Sequence, residues 1–326
     1  MQVYRLKLNN NVTLKRKKIG FRSELIDFII RKPSLQGAIL YDGMLFRNRL
    51  LKNYYELIRG LLTNANSGFK DSGGDTRNYR TSGEVARGDA RICVGDNTEE
   101  LDFAGYTLTN LVANTISLAE IIALTSSIEV RLSATAGKTG SIVGAEFYVY
   151  NDTGGGFRAL QACKLLSVTS GESIIYKLIF NEPWLYNMAN WIYGITDDLN
   201  APNEKDMAGV IYTLRSGADA NVDKARIVTG DGTDAWSPTD YTLTNPIEHS
   251  TTFHYWITDY AVEYVWRTWY IPPSDEQIEE IGLAQKLYDN GGAQHDTLLC
   301  RIALGASPLN LIGGNYYIFR LRIVGS

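Results

Sequence analysis

The chain repeats itself. Ala90-Arg91-Ile92-Cys93-Val94-Gly95-Asp96 returns as Ala225-Arg226-Ile227-Val228-Thr229-Gly230-Asp231, and Tyr106-Thr107-Leu108-Thr109-Asn110 returns unchanged as Tyr241-Thr242-Leu243-Thr244-Asn245, both at an offset of 135. Leu51, Asn53, Ile58 and Gly60 recur as Leu185, Asn187, Ile192 and Gly194 at an offset of 134. Further along, Glu146-Phe147-Tyr148-Val149 aligns with Glu280-Ile281-Gly282-Leu283, and Cys163-Lys164 with Cys300-Arg301. A repeat of this length is a whole domain; solenoid units are roughly 20–50 residues. The division expected is an N-terminal arm, 1–46, then two homologous repeats, 47–180 and 181–326. A duplicated domain in which no catalytic set recurs points to building or binding.

Apolar residues make up 44% of the 326, enough to supply two cores. No run approaches the ~18 apolar residues of a membrane span, so none is expected. Met1-Gln2-Val3-Tyr4-Arg5 alternates like a strand and lacks the apolar core of a signal peptide. Three cysteines make no disulfide framework, and Cys163 and Cys300 read as small buried hydrophobes at equivalent places. Twenty tyrosines and six tryptophans favour strands.

Through Lys52 the chain carries twelve basic and three acidic residues, about +9, and the rest is about −13. Lys15-Arg16-Lys17-Lys18 is the sharpest cluster. It reads either as a basic assembly arm gripping an acidic neighbouring subunit or nucleic acid, or as a solvated loop between strands Val3–Leu8 and Ile19–Phe21; the loop is preferred.

Each repeat opens with a helix. Arg47–Leu62 places Leu50, Leu51, Tyr54, Leu57, Ile58, Leu61 and Leu62 on one 3.6-period face, and Pro183 opens a second with Trp184, Leu185, Met188, Trp191, Ile192 and Ile195. Polar loops follow at Asn64–Glu84 and Asp197–Asp206, with Ala65–Gly74 expected to lie exposed or mobile. The remainder reads as short strands: Ala90–Val94, Ile128–Leu132, Ala145–Tyr150, Leu160–Leu166 and Ile174–Phe180, then Ala225–Thr229, Tyr255–Ile271, Gln277–Leu283, Thr297–Leu304 and Tyr316–Val324. Asn151–Gly155 and Asp289–Gly292 read as tight turns. The fold class expected is mainly β, two tandem β-sandwich domains each opened by a helix, plus an N-terminal β-rich basic arm.

Chemical motifs fail one by one. Ala136-Gly137-Lys138-Thr139 lacks the leading glycine of a phosphate loop, since position 132 is Leu132, and reads as a turn. His249, His254 and His295 do not recur between repeats and do not make a zinc set. Adjacent Glu279 and Glu280 would point to opposite faces of a strand and cannot flank one glycosidic bond. Asp231-Gly232-Thr233-Asp234 lacks the further oxygen ligands of a calcium loop. No catalytic, cofactor-binding or metal residues are therefore assigned. Phe253 to Tyr270 is crowded with aromatics, and Trp256, Tyr264, Trp266 and Trp269 are candidate recognition aromatics, although two-sided burial is the preferred reading.

The order of parts resembles tail-collar fibre proteins and related virion structural proteins of tailed viruses. Repeat two carries Gly230-Asp231-Gly232-Thr233, Leu243-Thr244-Asn245, Glu280-Ile281-Gly282-Leu283, Asp289-Asn290-Gly291-Gly292 and a closing strand, Tyr316–Val324. Repeat one keeps Gly95-Asp96, Leu108-Thr109-Asn110 and Glu146 but has Phe147-Tyr148-Val149 in place of Ile-Gly-Leu. The resemblance covers about residues 47–324. It implies a non-enzymatic structural component of a tailed or archaeal virus, in tail, collar, vertex or capsid surface, and for Glu280 a structural role, accepting backbone N–H groups near a turn. Such a protein would be assembled in the host cytoplasm and would act as a homo-oligomer with other virion proteins. The alternative is a host-receptor or carbohydrate-binding adhesin; a glycosidase ranks third.

Overall fold

The computed structural model describes every residue except 1–2, 8–11, 20–22, 32–35, 42–43, 48, 57–66, 80–89, 116–117, 151–155, 181, 183, 194–203, 213, 216–225, 250, 258–261, 290–292 and 326. The chain is mainly β, arranged in several antiparallel sheets. No helix among the described residues is long and apolar enough to cross a membrane.

One five-stranded sheet runs, in spatial order, Val112–Thr115, Arg91–Gly95, Gly140–Tyr150, Gly156–Val168, Arg49–Leu50. A second runs Leu118–Ala123, Ile128–Thr135, Ser173–Phe180, Gln36–Tyr41, Met44–Arg47. Ser173–Phe180 alternates buried and part-exposed positions, the pattern of a strand with one face on a core. Phe147 of the first sheet meets Tyr176 of the second, ring centroids 6.2 Å apart, so the two sheets share one apolar interior.

Later in the chain, Glu280–Asp289 is the central strand of a third sheet, pairing with Arg226–Gly230, Leu214–Arg215 and Gln294–Ala303. A fourth sheet has six strands, ordered Val3–Lys7, Val12–Ile19, Ser23–Arg31, Tyr316–Gly325, Val262–Tyr270, Thr251–Ile257. Trp266 of the fourth sheet and Ile227 of the third lie, fully buried, in the same core. The core is continuous through both halves: the helix Tyr186–Tyr193 reaches Leu118–Ala123 and Ile128–Thr135 of the second sheet.

Several sequence expectations need correction. The basic run Lys15-Arg16-Lys17-Lys18 is not a loop. It lies within strand Val12–Ile19, where Lys15 is in register with Arg5 and Asp27, and Lys18 with Glu24. Interspersed Val12, Leu14 and Ile19 give this segment a strand pattern that its charge obscures. The segment 1–46 is also tied into the rest of the chain. Ser23–Arg31 runs parallel to Tyr316–Gly325, and Gln36–Tyr41 pairs with Ser173–Phe180. The helix expected from Arg47 begins later: Met44–Arg47 and Arg49–Leu50 are strands and residues 52–56 are helical, while 57–66 lie outside the described residues. The second helix starts at Tyr186, three residues past Pro183. Tyr255–Ile271 is a hairpin of two strands, Thr251–Ile257 and Val262–Tyr270, because its aromatic content masks the break. Within the polar stretch Ala65–Gly74, Ser67–Lys70 pairs with Thr76–Tyr79 around a buried Asp71, while residues 65–66 lie outside the described residues. The turns expected at Asn151–Gly155 and Asp289–Gly292 lie outside the described residues but for Asp289, the last residue of its strand.

Polar anchors recur between the halves with the same bonds. Asn53 donates to the carbonyls of Lys70 and Leu160, and Asn187 to those of Lys205 and Leu298. Asp71 accepts from the N–H groups of Gly73 and Asp75, and Asp206 from those of Ala208 and Val210. Gly74, at φ 92°, and Gly209, at φ 81°, lie against the rings of Tyr106 and Tyr241. Asn110 and Asn245 share positive φ, 48° and 44°, a conformation asparagine tolerates.

These bonds also revise the sequence alignment. Gly144 pairs with Cys93 as Gly282 pairs with Val228, and a register shift follows Ala145 as one follows Leu283. The true offset in these strands is therefore 138. Glu280 corresponds to Ile142, not Glu146, which corresponds to Ala284. Cys300 corresponds to Ala162, and Cys163 to Arg301. Glu146 and Glu280 looked equivalent only because each half keeps one buried carboxylate on this strand, four places apart.

Candidate functional site

The two halves differ most where the corrected register places unlike residues. In the first half a small cluster of Leu51, Cys93, Leu108, Ile142, Leu160 and Cys163 packs on the face of the first sheet away from the main core. Its counterpart in the second half keeps Leu185, Val228, Leu243 and Leu298 but has Glu280 and Arg301 where Ile142 and Cys163 stand. Where the first half has an apolar plug, the second has a buried ion pair.

The pair is fully engaged. Glu280 is 0% exposed and Arg301 4%. Arg301 Nε donates to Glu280 Oε2 at 2.6 Å, one terminal nitrogen reaches Asp240 Oδ2 at 2.6 Å and the carbonyl of Ala235, and the other reaches the carbonyl of Asp234 at 2.9 Å. Glu280 Oε1 accepts the N–H groups of Gly232 and Thr244, as the sequence reading anticipated for this residue. Burial works against the Arg301 charge, but the hydrogen bonds and charges of Glu280 and Asp240 outweigh it and hold the guanidinium above its ordinary range. The network clamps the loop 231–244 onto the sheet. At the corresponding place the first half has Gly105 for Asp240, and its loop is tied from the outside by Lys164 on Glu100, 2.7 Å.

Beside the clamp lies a cleft of about 500 Å³, lined among others by Tyr186, Lys205, Asp240, Tyr241, Thr244 and Arg301. That size suits a small ligand. Lys205 Nζ sits over the Tyr241 ring, 4.9 Å from its centroid, as Lys70 sits over Tyr106 at 4.7 Å.

In the first half, Glu146 is 2% exposed and accepts from the Ser72 hydroxyl and, at 3.8 Å, from the Cys93 thiol. Burial, reinforced by Glu146, raises the Cys93 pKa well above normal; burial pushes the Cys300 thiol up to about 12. Neither thiol is a ready nucleophile.

His249 is buried, 3.0 Å from the Thr229 hydroxyl, stacked on Phe319 and edge-on to Tyr270. Burial pulls its pKa down to about 4. A histidine whose folded pKa is depressed stabilises fully above its unfolded value of about 6.5 and loses that contribution as pH falls toward 4. The loss is about 2–4 kcal/mol at ~1.4 kcal/mol per unit. Denaturant titrations at pH 7 and pH 4 should show this decline, and His249→Gln should flatten it relative to its own pH 7 value. His295 lies 3.6 Å from Asp206, and the side chain of His254 is outside the described residues. The described residues hold no group of three or more His, Cys, Asp or Glu placed for a metal ion.

The recognition aromatics separate. Trp266 is 0% exposed and sits in the core, so it cannot form a surface platform. The alternation that pairs Trp266 with Thr268, also buried, turns this face inward. Trp269 is 49% exposed, with the Arg267 guanidinium 5.1 Å from its ring centroid. Trp256 and Tyr264 lie in the paired strands, their side chains outside the described residues, as are those of Lys15, Arg16, Lys17 and Lys18. The turn at Ala136–Thr139 joins two strands; Lys138 binds Asp96 at 3.0 Å and the Asn110 carbonyl. Sequence reasoning missed Arg301 and Asp240, because Asp240 has glycine as its counterpart and the Arg301 counterpart had been assigned to Lys164. Comparison with family models, with curated proteins and with solved structures found no match.

Proposed function

We propose that the chain is a structural protein of a virus particle, built from two related β-sandwich units and acting through the surfaces it presents to its own copies and to other particle proteins. The observation that carries this reading is the convergence of the motif parts shared with tail-collar and related virion proteins. Gly232, Thr244 and Glu280, separated in sequence, join in one hydrogen-bonded knot, and Asn245 closes on Asp231 at 3.1 Å beside it. These residues hold loops to a sheet. The backbone N–H groups of Gly232 and Thr244 and the carboxylates of Glu280 and Asp231 bond within the protein, which suits a scaffold whose task is shape. Two quasi-equivalent units in one chain suit a ring or vertex where neighbours must match. The strands within residues 1–46 add to both halves, and Val3–Lys7 supplies an outer edge to which a neighbouring copy can add.

Quantitative mass spectrometry of purified particles, from cells that make the chain, should find it at a fixed ratio to the main coat protein. Its confinement to the particle-free fraction would overturn the reading. A host-receptor or carbohydrate-binding role is the second reading, favoured by the cleft beside Arg301.

A further inference from the structure

We propose that this cleft binds an uncharged, hydroxyl-rich ligand of the size of one or two sugar rings. This goes beyond the particle role and does not depend on it.

Some polar groups of the cleft are bonded within the protein and others are open. Arg301 is engaged by Glu280, Asp240 and two carbonyls, while Lys205 lies exposed over the face of Tyr241. An anionic ligand would meet Lys205 alone as a cation not paired with a carboxylate, and it would have to approach the carboxylates of Glu280 and Asp240 and that of Asp234 at the rim. The open groups are acceptors or hydroxyls. Asp240 uses Oδ2 for Arg301 and the Ser237 N–H, and its Oδ1 has no hydrogen bond among the described residues. The same is true of the Tyr241 hydroxyl and of Thr244 Oγ1. A carboxylate oxygen with two hydroxyls, set beside the half-buried ring of Tyr241, matches a ligand that presents O–H donors on one edge and C–H surface on the other. A sugar ring does this; a simple apolar ligand leaves the acceptors unpaired.

The first half supplies an internal contrast. It keeps Tyr106, Thr109, Lys70 and Asn53 but has Gly105, Ile142 and Cys163 in place of Asp240, Glu280 and Arg301. What the second half has in addition is a carboxylate held in place by a buried guanidinium, with one oxygen left over. A polar group fixed by buried supporting bonds is the arrangement a binding site needs.

The test uses the full chain on an array of immobilised neutral oligosaccharides ending in glucose, galactose, mannose or N-acetylglucosamine, with sialylated glycans and the polyamine spermine alongside. Hits are titrated in solution by calorimetry. The expected result is binding of neutral sugars, weakened at least about tenfold by Asp240→Asn, which keeps the oxygen held by Arg301 but makes the other position an N–H donor. Tyr241→Phe, which removes only a hydroxyl, gives a second reading should Asp240→Asn fold poorly, and should weaken binding in the same direction. Thermal unfolding of each variant confirms that the protein is intact. Trp269→Ala should leave binding unchanged. The proposal is overturned if no neutral sugar binds at millimolar concentration or if sialylated glycans or spermine bind in preference. It also fails if binding survives both cleft changes, or is lost in Trp269→Ala alone.

Discussion

Arg301→Cys, which installs the residue found at the corresponding place of the first half, should lower folding stability by about 3–5 kcal/mol. The change strands Glu280, 0% exposed, and removes the bonds that tie the Asp234 and Ala235 carbonyls and Asp240 to the sheet. A buried ion pair is expensive to assemble and more expensive to break on one side. Its replacement by apolar residues of matched shape is often neutral. The combined variant Arg301→Cys, Glu280→Ile, Asp240→Gly should therefore recover most of the loss, since it restores the plug that already works around Ile142 and Cys163. Denaturant unfolding measures both. A combined variant no more stable than Arg301→Cys would mean that the two halves do not share this site.

Trp266→Ala should also cost about 3–5 kcal/mol, by emptying a cavity in the shared core. Trp266 is among the largest fully buried side chains, and its strand neighbours Phe253 and Leu321 belong to the same sheet. Trp269→Ala, three residues away on the opposite face, should cost under about 1 kcal/mol, because half its surface already meets water. Equal losses for the two would contradict the inward and outward assignment of this strand.

Much of the β architecture was legible in the sequence because it depends on local pattern. Runs such as Ile128–Thr135 and Ser173–Phe180 are dense in β-branched residues with an alternating face, and turn residues bound them. The exact match of Tyr106–Asn110 with Tyr241–Asn245 and the near match of Arg91–Gly95 with Arg226–Gly230 fixed the offset of the repeat in this part of the chain. Legibility failed where tertiary pairing decides. The strand Val12–Ile19 looks like a charged loop until Ser23–Arg31 is laid beside it. Nothing local announces that Ser23–Arg31 pairs with Tyr316–Gly325, almost 300 residues away. The slip from 135 to 138 comes from extra residues between the strands, and a shared glutamate drew the alignment to the wrong register. Hence the candidate site was half seen: Glu280 and its backbone role were readable, whereas Arg301 and Asp240 required the sheet. The helix Tyr186–Tyr193 was anticipated because its apolar stripe is strong, and its true start lies where the N–H groups of Leu185 and Tyr186 donate to the carbonyls of Leu299 and Pro238.

We propose that one scaffold occurs twice and that its copies differ in the buried polar groups they carry, Glu280 and Arg301 above all. An experimental structure of the full chain tests it most directly, through superposition of residues 47–180 on 181–324. The account predicts the same strand order in both, with Asn53 on Asn187, Gly144 on Gly282, and Ile142 and Cys163 on Glu280 and Arg301. Different strand orders, or Glu146 falling on Glu280, would contradict it.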